Sequence, residues 1–232
     1  MDRQLNLKNV VLTGRTFEEY YNMFELDNLL ESEHILDVAS GVSSFCAEAS
    51  AKGYNVTASD RIYTFRPLEI ERKCRRDLET VIKQLPDLVD LYLWTFFKDV
   101  AALKNHREKA YKLFIEDFKT YGTKRYIPAE YPSTDFKENQ FTVSLVSHFL
   151  FLYEDLMNYD FHRKVIQELI RITSKEIRIF PIVNLRGKKS KYADCLMRDK
   201  DFNHLQISIR KVGYEFMKNG NEMILIDKSG FN

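Results

Sequence analysis

Residues 35–44, ILDVASGVSS, set the strongest limit on what this chain can fold into. A short β-suited run over 34–39 carries an acid, Asp37, and gives way to small residues around Gly41. Such a stretch lets the backbone turn tightly and approach a ligand while the next helix presents its N-terminus. FCAEASAKG then reads as a helix ending at Gly53, and YNVTASD as a second short strand finishing on Asp60. Strand, tight turn, helix, glycine and strand make a βαβ unit, which requires a parallel sheet with a right-handed crossover. Asp60 falls where dinucleotide folds place an acid that accepts from ribose hydroxyls. Asp37 reads equally as a turn acid and Asp60 as a helix cap, and the pair is common to several nucleotide binders.

The flanking sequence extends this unit. Over 15–30 the positions Phe17, Tyr20, Tyr21, Phe24 and Asn28 recur at helical spacing, with Thr16 as N-cap and Glu19 completing a capping box. From 67 to about 121 the pattern is helical, with Pro86 separating two helices; this is longer than a βα connection requires and reads as an insertion. Strand signals return at 125–130 and 141–147, followed by an amphipathic helix over 161–173 and a strand over 176–183. The last part, LQISIRKVGYEF, KNGN and EMILIDK, predicts an antiparallel hairpin closed by an Asn-Gly turn. The expected fold class is α/β: a Rossmann-like, mostly parallel seven-stranded sheet flanked by helices, ending in an antiparallel β-hairpin. It is expected as one domain over 1–232, with 66–124 as a helical insertion or lid after the second strand.

Composition narrows the function. With 232 residues and 44% apolar content the chain can bury a large core. No stretch has the apolar length of a membrane span, and the start lacks the apolar centre of a signal peptide, so a soluble, cytoplasmic protein without a membrane partner is expected. Cys46, Cys74 and Cys195 lie far apart, and the histidines show no paired ligand spacing, so no metal is expected. The net charge is +1, but residues 61–125 hold 15 Lys and Arg against 10 Asp and Glu. Such a basic segment is ordinary for solvated helix faces, and equally suits an anionic partner.

The order of these motifs resembles the class I S-adenosylmethionine-dependent methyltransferases. Asp37 matches the acid of the family's first motif and Gly41 its middle glycine, while Ala39 and Ser43 replace the outer glycines. The resemblance implies S-adenosyl-L-methionine as cofactor, with Ala39, Ser40 and Gly41 along its methionine part and Asp60, followed by Arg61, at the ribose. IPAEYPSTDFKENQFTVSLVS is similar to the stretch between the family's third and fourth strands. That places Glu130 on the adenine-binding acid, Tyr131 beside the ring, and Ser147 at the end of the fourth strand, with Thr142 where an aspartate is usual. The resemblance spans nearly the whole chain outside the insertion.

Methyl transfer from a sulfonium is an in-line displacement that depends on holding the acceptor close and aligned, with a base only where a proton must leave. His148, directly after the fourth strand, is the candidate catalytic base or orienting residue; a packed histidine is the structural alternative. Tyr153, Glu154 and Asp155 are candidates for the acceptor pocket. Arg15, Tyr20 and Tyr21 are candidates to close over the cofactor carboxylate. The signatures of amino-methylating and cytosine-carbon-methylating nucleic-acid enzymes are missing from the sequence, and near-neutral charge speaks against general nucleic-acid binding. A small-molecule methyl acceptor, conceivably anionic, is the leading expectation; the alternatives are an RNA or protein substrate and a non-catalytic cofactor-binding protein. A short-chain dehydrogenase is the further rival, but the Tyr-x-x-x-Lys at 214–218 comes too late in the chain for its role.

Overall fold

Short aliphatic runs and amphipathic runs alternate along the chain, and the computed structural model, which describes residues 4–7, 9–29 and 32–228, resolves them into strands and helices. In chain order these are α1 (Phe17–Phe24), β1 (His34–Val38), α2 (Phe45–Ala51), β2 (Asn55–Ser59), α3 (Pro67–Gln84), α4 (Val100–Tyr121), β3 (Tyr126–Ile127), β4 (Phe141–Ser147), α5 (Tyr159–Ile172), β5 (Thr173–Phe180), α6 (Lys191–Met197), β6 (Gln206–Lys211) and β7 (Glu222–Asp227). The strands form one sheet in the order β3-β2-β1-β4-β5-β7-β6. β1 runs parallel to β2 and β4, β3 extends the parallel side beyond β2, and β5 pairs parallel with β4. β7 lies antiparallel between β5 and β6. The mostly parallel sheet with an antiparallel end is the architecture expected from the sequence.

Helices cover both faces, so the central strands are apolar nearly throughout. In β1 only His34 is partly exposed. α1 packs on α2 through Tyr20, whose ring stacks on Phe45 with centroids 4.3 Å apart. On this face Met23, Phe24, Phe45 and Val143 are fully buried; each such side chain contributes about 1.5–3 kcal/mol by leaving water. The other face packs Val165, Ile166 and Leu169 of α5 on Leu36 and Val146.

The helical segment after β2 shares the first core: Cys74, Leu78, Phe114 and Phe118 pack with Val56, Ala58 and Tyr126. α3 ends at Gln84 and a 3-10 helix, Leu85–Leu91, carries Pro86, as the helix-breaking proline implies. Of the five basic residues of α3, Lys73 pairs with Asp77 and Arg75 with Glu71, and Arg66 at the N-cap pairs with Glu69. Part of this basic segment is thus a solvated face laced with ion pairs. Among the described residues no helix is long and apolar enough to cross a membrane.

Several boundaries differ from expectation. The leading helix stops at Phe24, because Glu25 is left-handed at φ 50°, and a 3-10 helix, Leu26–Asn28, follows; Leu30 lies outside the described residues. The strand expected over 125–130 is only Tyr126–Ile127, since Pro128 has no N–H to continue the ladder. The strand expected over 176–183 runs instead over Thr173–Phe180 and stops before Pro181. α6, capped by Ser190, was not anticipated.

The terminal pair is antiparallel, but no Asn-Gly hairpin turn closes it. The strands separate at Lys211 and Glu222, and residues 212–221 leave the sheet to pair with 91–93. There Leu93 N–H donates to Phe216 O at 2.7 Å and Lys218 N–H to Leu91 O at 3.0 Å. The KNGN signal does make a turn, with Asn219 left-handed at φ 65° and Gly220 N–H donating to Met217 O at 2.9 Å, but it sits within the longer 212–221 loop instead of joining the strands directly.

The segment before α1 crosses the carboxyl ends of the strands, held by Leu12 N–H donating to Asp77 at 2.8 Å and Asn6 N–H to Gln84 at 2.8 Å. Gly14 is left-handed at φ 58°, and a Cβ there would stand 2.6 Å from the carbonyl oxygen of Val42. Gly14→Ala is therefore expected to lower stability by about 2 kcal/mol, combining left-handed strain with displacement of the loop after β1. Urea unfolding of the variant beside the wild type measures this.

Candidate functional site

Open parallel sheets bind ligands outside the carboxyl ends of the strands, where neighbouring strands connect in opposite directions. Here that point lies between β1 and β4, whose chains continue to β2 on one side and β5 on the other. A cavity of about 150 Å³ opens there. The sequence-predicted residues Arg15, Tyr20, Ala39, Ser40, Gly41, Asp60, Ser147, His148 and Tyr153 all line it.

The loop after β1 is shaped by backbone conformation and by Asp60. Ala39 and Gly41 are both left-handed, at φ 47° and 57°, so Ala39 adopts the conformation that a glycine would take at no steric cost. Gly41 N–H donates to Asp60 Oδ2 at 2.9 Å and Ile62 N–H to Oδ1 at 2.9 Å. Asp60 thus caps the turn after β2, as one of its sequence readings has it, and also fixes the loop after β1. Burial raises its pKa despite these donors. Below the loop, Tyr63 donates to Gly41 O at 2.9 Å and shares a hydrogen bond with Ser40 Oγ at 2.6 Å.

Asp37 does not line the cavity. It is fully buried beneath it, accepting from the Tyr20 hydroxyl at 2.8 Å through Oδ1, while Oδ2 has no hydrogen-bond partner among the described residues. Burial pushes its pKa well above the usual carboxylate value, with Asp60 adding to the rise. At the end of β4, Ser147 Oγ and His148 Nδ1 are 2.9 Å apart, which leaves Nε2 as the ring nitrogen to meet a ligand. His148 is left-handed at φ 53° and is tied to β5 by its N–H donating to Phe180 O at 2.7 Å. Burial, then the Arg15 and Arg107 guanidiniums, hold its pKa well below the ordinary imidazole value.

The remaining predicted residues lie apart from the cavity. Arg61 and Glu130 form an exposed ion pair with 3.8 Å between charges, just beyond Asp60. Tyr131 is buried and shares a hydrogen bond of 2.8 Å with Ser59 Oγ. Tyr21 is exposed on the outer side of α1 and does not close over the site. Glu154 and Asp155 do not line the cavity either: Glu154 accepts from Asn184 and Ser190, pinning the segment after β5, and Asp155 pairs with Arg186. Only Tyr153 of that trio reaches the cavity.

Sequence reading missed the residue that ties Arg15, Arg107 and Tyr214 of the cavity lining together without lining it itself. Glu19, fully buried, accepts from Arg107 of α4 through both oxygens, at 2.6 and 2.7 Å. It also accepts from the Tyr214 hydroxyl at 2.8 Å and lies 3.2 Å from His106 Nε2 and 3.7 Å from Arg15 Nε. The capping box with Thr16 is present as expected, but it describes only the local half of the role of Glu19. The available signal was Arg107 itself, a charge on the buried stripe of α4 that otherwise carries Leu103, Ala110, Tyr111 and Phe114.

The strand order, with its antiparallel β7, is that of the class I S-adenosylmethionine-dependent methyltransferase fold, and the chain has that fold. It is 52% identical over 225 residues, 97% of its own length and 99% of the relative's, to the uncharacterized protein MJ0045 of Methanocaldococcus jannaschii, and it belongs to that protein's family. No family model matches. Among solved structures, the PH0226 protein of Pyrococcus horikoshii is 11% identical, with 91% of this chain and 90% of the other covered at a TM-score of 0.48. A SAM-dependent methyltransferase of Aquifex aeolicus is 13% identical, with 90% of each chain covered at a TM-score of 0.42. One of Methanosarcina mazei is 11% identical, with 87% and 95% covered at a TM-score of 0.45.

Burial alone would raise the Glu19 pKa, but Arg107, His106 and Arg15 more than offset it and bring it well below the ordinary value. A depressed carboxylate pKa stabilises the fold fully above the unfolded value of about 4.3, and that stability is lost as pH falls toward the folded value. Glu19→Gln, which leaves Arg107 buried without its counter-charge, is expected to cost about 3–5 kcal/mol at pH 7. The gap between variant and wild type should shrink below about pH 4. Urea unfolding at a series of pH values reads both effects.

Proposed function

We propose that the protein transfers a methyl group from S-adenosyl-L-methionine to an oxygen or nitrogen atom of a small molecule. The observation that carries this reading is the convergence on one cavity of the left-handed loop after β1, the acid after β2 and the Ser147–His148 pair after β4. Two buried polar atoms beside that loop lack a hydrogen-bond partner among the described residues, Asp37 Oδ2 and Arg15 Nε. One is an acceptor and the other a donor, as the ammonium and carboxylate of an amino-acid group require, and Arg15 lines the cavity, which is how the residues fit the methionine end of the cofactor.

When bound, S-adenosylmethionine supplies an electrophilic methyl on a sulfonium. In this reading Ala39, Ser40 and Gly41 lie along the methionine part, Arg15 neutralises its carboxylate, and Asp60 holds the ribose while keeping the loop in shape. Arg61, Glu130 and Tyr131 stand at the outer, adenine end. The segment before α1 lines the cavity, and the less water it leaves there, the more a sulfonium gains by losing its charge to an electron-rich acceptor. His148 is held neutral, so its Nε2 lone pair is available. A weak base suffices, because an alcohol oxygen becomes strongly acidic as it gains the methyl group.

Calorimetric titration with S-adenosylmethionine and with NADH tests the proposal. Binding of the sulfonium cofactor is expected, weakened roughly tenfold by Asp60→Ala and by Glu130→Ala, the size of a lost hydrogen bond to a charged group. A preference for NADH, or no binding of S-adenosylmethionine, would overturn it.

A further inference from the structure

Away from the Gly41 loop, the cavity is walled by Val11 of the N-terminal segment, Leu78, Val81 and Ile82 of α3, Leu85 beyond it, and Met217 of the 212–221 loop. These residues belong to apolar clusters distinct from the core under α5. A sugar, nucleotide or peptide group placed against them would leave its donors and acceptors unpaired. Arg15, Arg107, His148 and Tyr214 line the same cavity. Two guanidiniums there face the single carboxylate of Glu19. In the proposed complex Arg107 is matched by Glu19 and Arg15 by the cofactor's carboxylate, so the sulfonium is the positive charge that an anionic acceptor would meet.

We propose that the acceptor is a mostly apolar acid: one carboxylic or phenolic group on an aliphatic or aromatic body, with the acid end beside His148 and the body along α3. This rests on the methyltransferase reading for its chemistry, and on the cavity alone for the identity of the occupant. An apolar body gains by leaving water against aliphatic walls, and an anionic head meets an uncompensated positive charge in a low-dielectric setting. The reaction balances without further reagents. A carboxylate oxygen forms the new C–O bond with its own lone pair, the electrons of the broken S–CH3 bond stay on sulfur, and no proton leaves. With a phenol, the displaced proton passes to His148 Nε2.

The test is calorimetric titration with hexanoic, octanoic and decanoic acids and 4-butylphenol, with and without S-adenosylhomocysteine, using citrate and adenosine monophosphate as polar anionic controls. Affinity is expected to rise roughly fourfold per methylene until the chamber is filled, with the controls at least tenfold weaker than decanoate. Val81→Trp, which fills the apolar limb, is expected to weaken decanoate at least tenfold and hexanoate less than threefold; Ile82→Trp serves if the first variant does not fold. Methyl-labelled S-adenosylmethionine should then yield the labelled ester or ether. Chain-length independence, or controls that bind as tightly as decanoate, would overturn the proposal. Cofactor binding without acid binding defeats this inference and leaves the methyltransferase reading standing. Chain-length-dependent acid binding without cofactor binding upholds the occupant and defeats that reading.

Discussion

Glu19 is a carboxylate cut off from water and met by a guanidinium, a phenol and an imidazole from distant parts of the chain. Taking such a charge out of water is costly, and the cost is offset only when every lone pair finds a donor. That requirement makes α1, α4 and the 212–221 loop mutually dependent. None can move without leaving a buried charge exposed to an apolar surround. The same anchoring positions Arg15, four residues before Glu19, and Tyr214, both of which line the cavity. The electrostatics of the site therefore follow from an interaction whose first task is to hold the helical segment and the terminal strands against the leading helix.

The sheet contributes the other half of the geometry. Because β1 and β4 are neighbours with connections running opposite ways, the loops after them diverge and leave a crevice that no secondary structure fills. Asp60 closes one side by binding the Gly41 amide, and the left-handed His148 closes the other by reaching back to β5. Two non-glycine residues, Ala39 and His148, adopt left-handed backbone at these closing points. Strain of this kind persists where surrounding structure imposes it, and it collects where ligands bind.

What could be read from the sequence divides along the same line. The βαβ unit, the segment after it with a break near Pro86, and the antiparallel end were legible because periodicity and breakers are local signals. Gly41, Asp60, Ser147 and His148 could be placed because they follow directly from strand ends. Glu19 was seen as a capping residue only, since Arg107 and Tyr214 lie 88 and 195 residues away and no local pattern links them. The Asn-Gly signal marked a real turn at Met217–Gly220 but not the length of the loop around it, because the 212–221 loop takes backbone partners at 91–93 that no local pattern announces. The Arg61–Glu130 contact was beyond reach as well, because nothing in the sequence tells a surface ion pair from a ligand-facing acid.

The wall of the cavity formed by the segment before α1 is neither helix nor strand. It is fastened to α3 and the 3-10 helix after β4 by a few hydrogen bonds, among them Leu12 N–H to Asp77 and the weaker Val11 N–H to Tyr153. These fastenings are separate from the sheet's ladders and from the Arg107 and Tyr214 contacts to Glu19. Opening and unfolding are thus separate events with separate free energies, the first far smaller than the second. The wall of the cavity and the frame that carries it are therefore held by different kinds of contact, side-chain and backbone bonds of a single irregular segment against the continuous ladders of a sheet.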